Sequence, residues 1–420
     1  MSLPRYPEYK DSRVEWLGEV PAHWNVAPLK RFLDIENGAD YKPVEADDGY
    51  PVLGSGGRFA FATNYIYDGE SVLLGRKGTI DKPLYVTGRF WTVDTMYWSR
   101  IRSTACGRYC YYAATTIPFG LYSTNTALPS MTKGALDAHP MACPPLGEQH
   151  AISRFLDRET AKIDALIAEQ EKLLALLAEK RQATISHAVT RGLDPNVPMK
   201  DSGIAWLGEV PAHWEVLPVK RVGQLKAGAG FPHEEQGLED EELPFFKVAA
   251  LSGADESDFL LPRGDSISRA TASRLGAAIF PANTIVFAKV GAALLLGRIR
   301  KLSGEACIDN NLMALVVSEG HNSDFIRSAL ELVKFDLLAN PGAVPSLNAS
   351  QVGSWFVPCP PCAEQVRIAR FLAEQKARFA LLEGQCAQSI GLLIERRSAV
   401  ISAAVTGQID VRGLVEAGAS

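Results

Sequence analysis

Asp68, Glu70 and Lys77 place two carboxylates and an amine within one ten-residue stretch. Metal-dependent nucleases use these side-chain types to hold a divalent cation beside a phosphate. A diverged second copy of the stretch carries Pro281, Asn283 and Val290 at the aligned positions, so the carboxylates are not kept. Cys359-Pro-Pro-Cys362 has the spacing of half a zinc site, but no second Cys or His pair follows. The other copy reads Cys143-Pro-Pro-Leu146, which makes the second thiol dispensable. The glycine cluster AGAGF (227–231) lacks the strand–loop–helix setting of a nucleotide or S-adenosylmethionine site. Asn340-Pro341-Gly342 breaks the Asn-Pro-Pro-aromatic tetrad of amino-group methyl transfer, and no Walker A lysine loop occurs. His23 and His213 sit in a repeated Trp segment, where they are expected to satisfy a turn. With no nucleophile–His–acid set either, no catalytic residue, bound metal or cofactor is expected on this chain.

The chemistry that remains is that of loops mixing Gly with cations and short hydroxyl or amide side chains. In the first half these are Gly54-Ser-Gly-Gly-Arg58 and Gly75-Arg-Lys-Gly-Thr79, with Lys82 just beyond. In the second half Lys289, Arg298, Arg300 and Lys301 supply the charge. Glycine lets a backbone approach a phosphate closely, and Arg or Lys supplies the positive charge. Ser130–Thr132 and Ser346–Asn348 can reach base edges or phosphates. The residues expected to touch DNA are therefore Ser55, Arg58, Arg76, Lys77, Thr79, Lys82, Ser130 and Thr132 in one half. In the other they are Lys289, Arg298, Arg300, Ser346 and Asn348.

These loops recur because the chain is a duplication. DSRVEWLGEVPAHW (11–24) and DSGIAWLGEVPAHW (201–214) match at 11 of 14 positions, an offset of 190. CPPLGEQHAISRFL (143–156) matches CPPCAEQVRIARFL (359–372), and EKRQATISHAVTRGLD (179–194) matches ERRSAVISAAVTGQID (395–410), both at an offset of 216. The second middle is therefore 26 residues longer. Sparse landmarks link the two middles: SVLLGRKG (71–78) with TIVFAKVG (284–291), TVDTM (92–96) with CIDNN (307–311), and LPSMT (128–132) with VPSLN (344–348). A near-constant frame around variable inserts suggests one scaffold carrying two different readers.

The 420 residues, with 47% apolar and 22% charged side chains, read as a globular protein of several domains. No apolar run approaches a membrane span, the start lacks a signal-peptide pattern, and seven scattered Cys suit a reducing cytoplasm. The net charge of −5 argues against a uniformly basic nucleic-acid binder but leaves room for local basic loops. Each tail reads as one long helix, since Leu146 to Val189 contains no Pro and a single Gly. The expected apolar stripe is Leu156, Ile163, Leu166, Leu173 and Leu177, answered by Leu372, Phe379, Leu382, Cys386 and Leu393. A helix of about 40 residues is roughly 60 Å long, far beyond an ordinary core helix. Sequence leaves its partner's direction open, although pseudo-two-fold packing of repeats would make the pair antiparallel. The middles alternate β-formers with Gly and Asp turns and read as mixed α/β. The C-terminal segment stops where the first copy runs on into the second Trp motif, so the two ends are expected to lie together.

The order of these motifs, repeated twice, resembles the specificity (S) subunit of type I restriction–modification systems. The resemblance spans nearly the whole chain and rests on the Trp motif, PVLGSGG (51–57), LLGRKGTI (73–80), FWTVDT (90–95), PSMT and PSLN, and CPP–EQ–RFL with its long helix. It implies an α+β fold: two mixed α/β target-recognition domains separated by two long conserved helices packed as an antiparallel coiled coil, with pseudo-two-fold repetition. The expected division is a conserved N-terminal segment (1–25), a first recognition domain (26–145), and a central helix and linker (146–200). A second recognition domain (201–360) and a C-terminal helix (361–420) follow. It further implies a non-catalytic, cytoplasmic subunit that reads double-stranded DNA at a bipartite site. Its partners would be two modification subunits and two restriction (motor-nuclease) subunits, which would carry S-adenosylmethionine, ATP and Mg. Trp16, Trp24, Trp206 and Trp214 are the expected contacts to partner subunits. The alternatives weighed are an adaptor that does not bind DNA and a fused enzyme with its own methyltransferase or nuclease activity.

Overall fold

The computed structural model describes residues 4–122, 129–255, 257–262, 264–340, 342 and 344–414. Leu128 of the first landmark and Pro341 of the broken tetrad lie outside them. The chain forms two compact units: residues 1–171 with 387–420, and residues 172–386. The division falls inside both long helices, Leu146–Arg191 and Cys362–Val405, each of which is continuous. Among the described residues, no helix is long and apolar enough to cross a membrane.

Each helix begins where a Pro-Pro pair ends an extended strand. Pro145 O accepts from the amides of Glu148 and Gln149, and Pro361 O accepts from those of Glu364 and Gln365. Each ends at a glycine in the left-handed region, Gly192 and Gly407, both at φ 76°, the usual helix stop. Within the first unit, Ile152, Phe155 and Leu156 pack with Ile401, Ala404 and Val405, and Asp164 pairs with Arg397 at 2.8 Å. Within the second unit, Leu177 packs with Phe379 and Cys386, and Ala188 shares a core with Ile368 and Leu372. Numbers rise on one helix as they fall on the other, so the pairing is antiparallel.

Of the expected stripe, Leu156, Ile163, Leu177, Leu372, Phe379 and Cys386 are buried, and three members need correcting. Leu166, Leu173 and Leu382 are exposed. The inward positions run Ile163, Ile167, Gln170, Leu174, Leu177, alternating steps of four and three. That 3.5-residue period keeps one seam facing its partner, and a leucine one place out of phase points to solvent.

The two inserts repeat one sheet plan. In the first unit a four-stranded antiparallel sheet has the order Leu84–Val86, Ser71–Gly75, Met96–Ile101, Leu33–Asn37. In the second the same order is Ile299–Lys301, Ile285–Ala288, Leu312–Val317, Gly223–Ala227. A mixed second sheet holds one parallel pair in each unit, Tyr50–Gly54 beside Arg89–Thr92 and Leu243–Phe246 beside Cys307–Ile308. The AGAGF cluster is explained here. A Cβ on Gly228 would stand 2.1 Å from Asp309 O, and one on Gly38 2.0 Å from Val93 O. Only glycine permits this crossing of two backbones.

The register also corrects one landmark. Ala39 N donates to Thr92 O as Ala229 N donates to Ile308 O, and Met96 N to Val93 O as Leu312 N to Asp309 O. Thr92-Val93-Asp94-Thr95 thus matches Ile308-Asp309-Asn310-Asn311, one residue later than the shared Asp suggested.

The described ends of the chain meet in the first unit. Asp410 N donates to Pro4 O at 2.8 Å, Tyr9 Oη donates to Gly407 O, and the Arg412 guanidinium lies over the Tyr6 ring.

Candidate nucleic-acid interface

In each unit the loops singled out by sequence are tied to one another by backbone bonds. In the first, the amides of Arg76 and Lys77 both donate to Thr95 O, Gly78 N to Pro129 O, and Met131 N to Arg76 O. Val93 N donates to Leu53 O, which brings in the glycine hairpin that turns at Ser55. Gly54, Ser55, Gly57, Phe59, Asp94 and Thr95 line a cleft of about 490 Å³ at this junction. In the second unit Lys289 N donates to Asn311 O, Gly291 N to Pro345 O, and Leu347 N to Lys289 O. The matching bonds join the matching loops, although the residues they present differ.

Lys77, Thr79, Lys82 and Arg58 are exposed in the first unit, as is Arg298 in the second, while Lys289 is half-buried. Arg76 reaches Asp94 O at 3.2 Å and lies over the Tyr97 ring. Arg58 lies 4.9 Å over Phe61. Ser130 bridges Lys77, and Ser346 bridges Val290. Thr132 and Asn348 do equivalent structural work. The Thr132 hydroxyl accepts from Ala135 N at 3.2 Å, and Asn348 forms a reciprocal capping box with Gln351. Their side-chain oxygens are committed to helix starts.

Arg300 does not join this edge. Its guanidinium pairs with Asp258 at 3.3 Å in a cavity beside the long helices, and Lys301 is buried against Asp324. Both side chains line the same cavity of this unit, a placement that spacing alone did not resolve. Asp68 pairs with Arg89, and Glu70 accepts from Tyr85 Oη, so the carboxylates near Lys77 form no common site.

Sequence reasoning missed several surface groups at the same junctions. Phe59 is 55% exposed and meets Tyr41 edge-on. Asp94, Thr95, Asn310 and Asn311 are exposed. Lys247, at the position matching Gly54, pairs with Asp265 and lies over Phe231. The TVDT and CIDNN landmarks were the available signal. Together the edges offer amides, hydroxyls, cations and an exposed ring, the donors, acceptors and stacking surface that nucleic acid meets.

The repeated frame has a structural reason. Glu148, in the first turn of the first long helix, accepts from His23 Nε2 (2.7 Å), Trp24 Nε1 (2.9 Å) and Tyr6 Oη (3.1 Å). Glu364 likewise takes His213 at 2.8 Å. Gln149 accepts from Cys106 N and Gln365 from Asn322 N. Trp24 and Trp214 have no exposed surface, so neither indole is available to a partner; Trp24 ties the Trp motif to the helix start through Glu148, whereas the buried Trp214 indole N–H has no partner among the described residues. Trp16 and Trp206 keep some surface, stacked on His139 and Trp355 at 5.1 Å.

The profile of the family described as type I restriction modification DNA specificity domain matches residues 21–175 and 211–390. The type I restriction enzyme MjaVIII specificity subunit of Methanocaldococcus jannaschii is 24% identical over 244 residues, 51% of this chain and 53% of that one. The putative specificity subunit S.HindORF215P of Haemophilus influenzae is 26% identical over 158 residues, 36% of this chain and 38% of that one. The chain thus spans about half or less of the length of these curated relatives. A chain from a structural study of complex assembly and conformational transition of the type I R-M system superposes with a TM-score of 0.66 at 16% identity, covering 92% of this chain and 98% of that one. The HsdS subunit from Thermoanaerobacter tengcongensis gives 0.51 at 14% identity, covering 93% and 98%. Both show a shared fold. With both halves of the duplication matched, the chain belongs to the type I restriction modification DNA specificity family.

Proposed function

We propose that this chain is the DNA sequence-specificity subunit of a type I restriction–modification complex and does no chemistry itself. Each recognition domain (26–145 and 201–360) reads one half of a bipartite, gapped site in double-stranded DNA. The observation that carries this reading is the duplicated loop edge: matching backbone bonds hold dissimilar loops in the two units. One frame then serves two different sequences. Half-sites about one helical turn apart, ~34–36 Å, lie on one face of DNA, and rods of ~60 Å are long enough to set that interval. Two modification subunits, carrying the adenine-N6 methylation chemistry, and two restriction subunits dock on the frame. Trp16 and Trp206 are the tryptophans with surface to offer them. The complex is cytoplasmic.

The test is to express the chain with its modification subunit in a methylation-free host and map the modified bases. A two-part motif with one fixed gap is expected; a contiguous motif, or methylation independent of the chain, would overturn the reading. Arg76→Ala with Lys77→Ala should weaken duplex binding about tenfold or more and flatten its salt dependence by about two phosphate contacts. Unchanged affinity would remove these residues from the interface.

A further inference from the structure

The second unit contains a cavity of about 1070 Å³ bounded by insert residues and by both long helices. Its charges do not balance. Asp258 accepts from Lys376 at 2.6 Å, Arg327 at 3.1 Å and Arg300 at 3.3 Å. Arg327 also pairs with Glu331, and Lys301 with Asp324. Arg181 and Arg370 line the same cavity and make no ion pair among the described residues. Six cations therefore face three carboxylates. The Nε–H groups of Arg300 and Arg327 are buried without an acceptor. Burial, with Arg327 close by, also pulls the Arg300 guanidinium below its ordinary value.

The matching positions of the first unit are filled differently. Its helix Gly107–Ala114 occupies the place of Ser323–Leu330 at the 216 offset. There Arg108 pairs with Asp157 at 2.6 Å and lies over the rings of Tyr85, Tyr111 and Tyr112. The second unit has Asp324 for Arg108, Arg327 for Tyr111, Ser328 for Tyr112, Ala373 for Asp157 and Lys376 for Thr160, a net gain of one positive charge. Two rings and a carboxylate give way to small or cationic side chains, which opens volume and adds charge together.

We infer that this cavity binds a phosphate-bearing ligand, with the phosphoryl group held by Arg300, Arg327 and Lys376. Paired guanidinium forks match a tetrahedral oxyanion that offers several acceptors. Phe259, Ile185 and Phe379 add an apolar wall, so the space suits a phosphorylated small molecule better than the bare ion. The ligand would sit between insert residues and helix residues of this unit, and its occupancy would stiffen that joint.

The test is calorimetric titration of the full chain with inorganic pyrophosphate, a nucleoside triphosphate and a short DNA duplex, with thermal unfolding as a second readout. Saturable binding of pyrophosphate or the triphosphate, with a rise in Tm, is expected. Arg327→Gln should weaken it about tenfold or more, the loss typical of a charge-assisted contact. Because Arg327 also holds Asp258, the pair Arg181→Gln and Arg370→Gln, at exposed wall positions, keeps the test independent of folding and should weaken binding several-fold. A response to the duplex alone, abolished by the same substitutions, would assign the phosphoryl group to a nucleic-acid backbone. Absence of binding by all three, or binding that the substitutions leave unchanged, would overturn the site.

Discussion

His139 shows how much a single buried side chain can dictate. It is almost fully buried, stacked on Trp16, with Nδ1 2.9 Å from Tyr122 Oη and Nε2 without a partner. Burial pushes its pKa down to about 4. The unfolded chain then binds a proton near pH 6.5 that the folded chain refuses until near pH 4. The neutral ring's contribution is intact above pH 6.5 and is lost as pH falls through that window, up to about 3 kcal/mol. Chemical unfolding between pH 7.5 and 4.5 should show this decline, and His139→Phe should flatten it. An identical slope in the variant would show that other groups govern acid sensitivity. Nothing in the sequence marked His139, because its burial depends on a tryptophan more than 120 residues away.

At the scale of elements, the helix pair separates legible from hidden information most clearly. The start, the approximate length and the partner of each helix followed from the Pro-free run, the CPP boundary and the duplication, while the antiparallel direction, left open by the sequence, is fixed by the packed pairs. Leu156, Ile163 and Leu177 were placed on the seam correctly, but Leu166 and Leu173 were not, because they are as apolar as the residues that face inward. Leu177→Ala should cost about 2–3 kcal/mol by leaving a cavity at the seam. Leu173→Ala, at an exposed position, should change stability by no more than about 0.5 kcal/mol. Equal effects in urea unfolding would mean that the seam is placed wrongly. The loop edges were legible in part: the landmarks located them, while the one-residue shift at Asp309 and the turning away of Arg300 required strand pairing.

At the scale of the whole molecule, the duplication makes a quantitative prediction that rests on the proposed function. Inserting one matched heptad into both long helices preserves the seam and adds about 10 Å of rod. The modified motif should keep both half-sequences while its gap grows by about three base pairs, at ~3.4 Å per step. Methylome mapping of the variant complex reads this directly. An unchanged gap with retained activity would show that the rods do not set the interval.

By itself the sequence determined the repeated frame, the long helices and the family, because these depend on local periodicity and on motif order along the chain. Helix period, proline placement and glycine stops act over a few residues, so they are written where they operate. Which tryptophans are sealed inside, which arginine turns from the loop edge to a buried carboxylate, and where a joint is left open and cationic were decided only in three dimensions. Those outcomes depend on which distant side chains fill the neighbouring space, and a one-dimensional pattern does not carry that packing.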